Sequence, residues 1–69
     1  MTFEKELPTK LRVERARVNM TQAQVASAIG TTAAAICQYE NGERTPTLQN
    51  LRALAEFYQV SLDYLVGRE

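Results

Sequence analysis

From Val18 to Tyr39 the chain carries no charged residue, and inside that stretch stands a single glycine, Gly30. A charge-free run in a water-exposed chain is either buried or laid against something, and the Thr, Gln, Ser and Ala that fill this one are poor core residues. Its apolar positions keep helical spacing. Counted from Gln22, the residues Val25, Ile29, Ile36 and Tyr39 point to a core, and Ala26 is small where a second helix must cross close by. Left-handed backbone that ends a helix costs glycine little, so Gly30 divides the run into two short helices. Two helices joined by such a turn form a helix-turn-helix arrangement, whose second helix can enter the major groove of DNA.

The flanking segments extend the helical reading. Apolar residues recur at spacings of three and four and no run alternates with period two, which predicts an all-α fold of five helices. Helix one is expected from Pro8, a favoured first-turn residue, to about Val18, with residues 1–6 flexible. Thr21-Gln22-Ala23-Gln24 is a capping-box pattern that opens helix two at Gln22. Thr31 and Thr32 offer a cap for helix three, from about Ala33 to Glu40, which stops at Asn41-Gly42. Residues 43–46 form a loop, Thr47 caps a fourth helix through about Tyr58, and Ser61 caps a last one through Val66. Leu48, Leu51, Leu54, Ala55, Leu62 and Leu65 are expected to supply the core faces of these two helices. Residues 1–69 read as one compact domain without repeat or linker.

Composition removes several function classes. The 69 residues fall below the ~100 to 150 of a typical domain, so the core is small and a second copy is an expected source of stability. Cys37 stands alone, which forbids an internal disulfide, and the absence of histidine removes both a zinc-ligand set and an imidazole base. With no base near the lone thiol, the chain is expected not to be an enzyme and to need no metal or cofactor. Apolar runs are far shorter than the ~20 residues of a membrane span, and Met1–Pro8 lacks the basic-then-apolar order of a signal peptide. A cytoplasmic location follows as the expectation, with no membrane contact and no small-molecule ligand.

Eight basic residues balance eight acidic ones, but they are not evenly spread. Lys10, Arg12, Arg15 and Arg17 cluster early and are opposed locally only by Glu14, which leaves a basic patch suited to phosphate. With Ile36 and Tyr39 turned inward, Ala33, Ala34, Cys37 and Gln38 share the outward stripe of helix three and are the candidates to meet base edges. Gln38 is the one long polar reader among them, able to pair with adenine, while alanine methyls suit thymine methyls. Cys37 reads as a small side chain fitted to the groove, with no neighbouring cation or second thiol to make it a redox switch.

The ordered set Leu11-Arg12-Val13-Glu14-Arg15, Thr21-Gln22-Ala23-Gln24-Val25-Ala26, Ile29-Gly30-Thr31-Thr32, Tyr39-Glu40-Asn41-Gly42, Arg44-Thr45-Pro46 and Val60-Ser61-Leu62-Asp63-Tyr64-Leu65 resembles the lambda-repressor and Cro-like helix-turn-helix regulators, often called the Xre family. The resemblance runs from about Leu7 to Gly67. It implies a compact five-helix lambda-repressor-like domain that binds double-stranded DNA. It further implies phosphate contacts from Gln22 at the start of helix two, from Thr32 beside its cap, and from Asn41 and Arg44 in the loop after helix three. Lys10 matches a basic position of the pattern and joins them, whereas Glu43 stands where a basic residue is common. Arg15 and Glu40 match a structural pair joining helix one to the end of helix three. Leu62, Tyr64, Leu65 and Val66, apolar for so short a terminal helix, match a dimer contact.

The resulting expectation is a sequence-specific transcriptional regulator, a repressor that binds a palindromic operator as a homodimer. The alternative is a protein-interaction module of the same fold, an antirepressor or antitoxin-like subunit, which the neutral charge and the alanine-rich helix three keep open.

Overall fold

The computed structural model describes residues 3–68, with side chains from residue 6 to residue 68. Five helices follow in order: α1 (Phe3–Val18), α2 (Gln22–Ile29), α3 (Ala33–Asn41), α4 (Leu48–Tyr58) and α5 (Leu62–Leu65). Four of their starts use the same local chemistry, a hydroxyl that accepts from an otherwise unpaired backbone N–H three residues on. Thr21 accepts from Gln24, Thr32 from Ala35, Thr47 from Asn50 and Ser61 from Tyr64. Each such cap is worth ~1 kcal/mol. The first is a complete capping box, because Gln24 Oε1 also accepts from Thr21 N–H at 2.8 Å. Gly30 closes α2 at φ 82° and Gly42 closes α3 at φ 76°, both in the left-handed region.

α2 packs most extensively on α3, α1 bridges α3 and α5, and α4 closes against α2. Val25, Ile36 and Tyr39 of the central pair are at most 3% exposed, and Ala26 is 2% exposed at the crossing. Ile29 is half-buried against the same core. Tyr58, at the end of α4, is among the largest fully buried side chains. Among the described residues no helix is long and apolar enough to cross a membrane.

The structure corrects three readings of the sequence. α1 starts at Phe3 and not at Pro8, which lies inside the helix. Leu7 and Leu11 are both buried one turn apart, and seating Leu7 recruits the turn before the proline. The Pro8 ring meanwhile lies against the turn at Gly42. Of residues 1–6, Met1 and Thr2 lie outside the described residues. Leu48 is 67% exposed and not a core residue. As the first residue of α4 it stands off the stripe that Leu51, Leu54, Ala55 and Tyr58 turn inward. Leu65 is fully buried beneath α1 and α4, so it belongs to the core and not to a dimer surface.

Candidate nucleic-acid interface

Helix α3 buries Ala35, Ile36, Tyr39 and Glu40, and its two remaining sides turn outward. Ala33, Ala34 and Asn41 are exposed, and Cys37 and Gln38 are half-exposed, so the positions read as groove-facing share one accessible side. Its surface is shallow because most of these side chains are short. Asn41 Nδ2 donates to Cys37 Sγ at 3.5 Å, which orders the amide along this side. Thr32 caps the helix and is exposed beside Ala33, so its hydroxyl already has a backbone N–H to hold.

What fixes α3 is a buried carboxylate. Glu40 is 2% exposed, and Arg15 of α1 meets it with two bonds, Nε to Oε2 at 2.7 Å and Nη2 to Oε1 at 3.0 Å. This two-pronged geometry suits a planar guanidinium and a carboxylate. The hydrogen bond to Glu40 raises the Arg15 pKa above its ordinary value, outweighing the opposing effect of burial. Arg15 Nη1 also donates to the Met20 carbonyl at 2.9 Å, so one side chain joins α1, the α1–α2 turn and α3. Gln22, first residue of α2, donates Nε2 to Glu40 Oε1 at 3.2 Å. An amide has two such hydrogens and Glu40 takes one of them. Gln22 is therefore positioned from within the fold as well as by the helix it opens.

The loop after α3 begins at Gly42 and is exposed through Thr45, with Arg44 lining an open hollow beside Pro8 and Tyr39. Arg12, read from the sequence as part of the basic patch but ranked behind Lys10 as a phosphate contact, belongs to this end of the molecule. Its Nη1 donates to the Glu40 carbonyl, and Nη2 donates to Thr9 Oγ1 at 3.3 Å. A guanidinium at the C-terminal end of α3 also complements the helix dipole. Lys10 has the opposite fate. Its Nζ sits 4.1 Å from the centre of the Tyr64 ring, toward α5, because two residues of helix turn it away from the side that Arg12 and Arg15 occupy. The structure does not bring Lys10 to the end of α3.

A second polar cluster seats α5 on α1. Glu14 is 5% exposed, its Oε1 receives Arg17 Nε at 2.6 Å, and its Oε2 accepts from the Tyr64 hydroxyl at 2.8 Å. That hydrogen bond, and then burial, raises the Tyr64 pKa. Arg17 Nη2 continues to the Tyr58 carbonyl at 2.7 Å. Of the four residues read as a dimer contact, Leu65 is thus core, Tyr64 is engaged on both its ring and its hydroxyl, and Leu62 and Val66 are half-buried. The burial of Glu14 was missed, although its place three residues after Leu11 and seven after Leu7 lies on the core stripe of α1.

Residues 11–65 match the family model HTH_3, described as helix-turn-helix. The chain belongs to this helix-turn-helix family. Its relatives include the cryptic phage CTXphi transcriptional repressor RstR of Vibrio cholerae, 38% identical over 63 residues, or 91% of this chain and 56% of that protein. The transcriptional activator BcrR of Enterococcus faecalis is 31% identical over 93% of the chain and 31% of its own length. Repressor protein C2 of Salmonella phage P22 is 35% identical over 83% of the chain and 26% of its length. The chain therefore spans between about a quarter and just over half of these curated relatives. Among solved structures, the P22 c2 repressor in complex with a synthetic operator superposes with a TM-score of 0.87 at 32% identity, covering 91% of this chain and 96% of that one. The helix-turn-helix of the family is α2, the Gly30 turn and α3.

Proposed function

We propose that the chain is a sequence-specific double-stranded DNA-binding transcriptional regulator, a cytoplasmic repressor that occupies a palindromic operator as a homodimer. The observation that carries this reading is the clamp at Glu40. It holds an exposed, small-residue side of α3 in fixed relation to Gln22 at the start of α2, in a chain similar to a repressor solved in complex with a synthetic operator. In this reading Gln38 meets a base edge, and Ala33, Ala34 and Cys37 allow close approach and contact thymine methyls. Gln22, Thr32, Asn41 and Arg44 meet phosphates, the first two at helix N-termini where anions are favoured. Arg12 takes the place first given to Lys10.

The test is selection of bound sites from random duplex DNA by the purified protein. The expected motif is an inverted repeat with half-site centres ~34 Å, or about 10 base pairs, apart. Arg44→Ala should weaken binding to all sequences alike and lower the salt slope by about 1 per contact, whereas Gln38→Ala should cost ~1 to 3 kcal/mol on the preferred site alone. Failure to enrich any motif overturns the reading in favour of a protein-interaction module. If Gln38→Ala leaves the motif intact, specificity comes from the alanine methyls or from DNA shape.

A further inference from the structure

The chain has asparagines at 19, 41 and 50, and of these only Asn41 is followed by glycine. An asparagine side-chain amide is open to attack by the backbone nitrogen of the next residue, and glycine, with no Cβ to crowd that nitrogen, is the least hindered successor. Met20 and Leu51 crowd the nitrogens that follow the other two, and Asn50 also donates its amide to the Tyr39 hydroxyl at 3.0 Å. Asn41 is the last residue of α3 and is exposed, as are Gly42 and Glu43 after it. The reactive pair therefore stands in water at the end of the accessible side of α3.

Two restraints hold this pair apart in the folded chain. Gly42 N–H donates to the carbonyls of Gln38 and Tyr39, so its nitrogen is turned back along the helix and away from the Asn41 side chain. Asn41 Nδ2 in turn donates to Cys37 Sγ at 3.5 Å, which draws the amide back by one turn of α3. Neither restraint is strong. Helix ends open more readily than helix interiors, and sulfur is a weak acceptor.

We propose that Asn41 is a deamidation site guarded by Cys37, and that the reaction removes the chain from DNA. When the last turn of α3 opens, Gly42 N attacks Asn41 Cγ and gives up its proton. The new C–N bond closes a succinimide ring as the Cγ–Nδ2 bond breaks, and ammonia leaves with that proton. Water then opens the ring at one carbonyl or the other, which leaves aspartate or, by the longer backbone path, isoaspartate. A neutral amide has become a carboxylate. It stands at a helix C-terminus, where the dipole disfavours an anion, and two residues from the carboxylate of Glu43. The consequence for DNA rests on the reading above, in which Asn41 meets a phosphate and the new charge repels it. Duplex seated on α3 keeps the last turn closed, so bound copies are spared while free copies age.

Ageing the purified chain tests it. Samples held in heavy-oxygen water from neutral to mildly alkaline pH are mapped by proteolysis and mass spectrometry, with isoaspartate counted by enzymatic methylation. Conversion should concentrate at Asn41 over Asn19 and Asn50, and should quicken with pH because the Gly42 nitrogen must lose its proton. Cys37→Ala should speed it roughly two- to fivefold, the worth of one weak hydrogen bond, and Cys37→Ser, which keeps an acceptor, should hold the parental rate. Excess duplex should slow it. Affinity for all duplex sequences should fall in step with conversion, and fresh Asn41→Asp should bind roughly tenfold more weakly than the fresh parent. Asn41→Gln, whose extra methylene disfavours the ring, should keep on ageing whatever affinity it starts with. No excess of conversion at Asn41, a rate unmoved by Cys37→Ala, or a converted chain that binds duplex as the fresh one does overturns the proposal. If the fresh parent binds no duplex, the DNA-binding reading fails, and peptide mapping alone still decides the modification site.

Discussion

Among the described residues two glutamates are buried, Glu14 and Glu40, and the company each keeps is different. Glu40 is met by both prongs of Arg15, whose side chain is only 26% exposed, and by the Gln22 amide, so three helices converge on one carboxylate. Glu14 is met by Arg17, 54% exposed, and by a phenol, and it joins only α1 to α5. Both arrangements satisfy a charge that would be costly if left alone. The first has its partner sheltered and its geometry fixed in two directions, and it sets the orientation of α3. The second keeps its cation in water and closes the fold. A buried carboxylate thus reveals less by its own burial than by how sheltered its partner is.

The contrast makes measurable claims. Arg15→Met strands Glu40 and should cost about 2 to 4 kcal/mol in thermal unfolding, somewhat below the usual range for breaking a fully buried pair because Arg15 is partly solvated. Adding Glu40→Gln should restore part of the loss, and strictly additive losses in this double-mutant cycle would show that the two side chains do not interact.

Tyr58 lies between the clusters and senses both. Its pKa is pushed up to about 12 from 10.0, chiefly by burial, then by Glu40, with Glu14 adding and Arg15 opposing. A folded-state pKa above the unfolded one means that the contribution is whole below pH 10 and is lost as pH rises toward 12. Denaturant titrations across that window should show stability falling by about 2 kcal/mol, and Tyr58→Phe should flatten the slope.

The smallest effect is expected at the second cluster. Tyr64→Phe removes one hydrogen bond from Glu14, keeps the ring beneath Lys10, and leaves the carboxylate its arginine. It should cost about 1 kcal/mol in chemical denaturation. Affinity of the folded protein for an operator half-site should not change, and a loss of affinity would mean that this cluster, too, orients α3.

Much of this architecture is written in local chemistry and was readable without coordinates. The caps at Thr21, Thr32, Thr47 and Ser61, and the stop at Gly30, depend on residues within one turn of each other, and they set the starts of α2 to α5. The Arg15–Glu40 pair came through the family pattern, since nothing local links positions 25 apart. What stayed hidden was tertiary. Leu7 draws α1 back past a proline, Leu48 overhangs the core, and Leu65 is covered by two other helices. Lys10 and Arg12 are both basic and nearly adjacent, and only the placement of α3 and α5 around α1 separates their roles. Periodicity assigns a side to each residue, but it does not say which neighbour will occupy that side.

At Gly30, where φ is +82°, nothing lies within 4 Å of the place a Cβ would occupy. The turn there makes a demand on backbone alone and none on space. In a saturation library screened for folded protein, this position should therefore rank substitutions by their tolerance of left-handed backbone. Asparagine and aspartate should survive best, most other residues should pay a similar toll of about 1 to 2 kcal/mol whatever their bulk, and valine and isoleucine should fare worst. A lineage under selection for folding would leave that same graded spectrum at the turn, independent of side-chain volume.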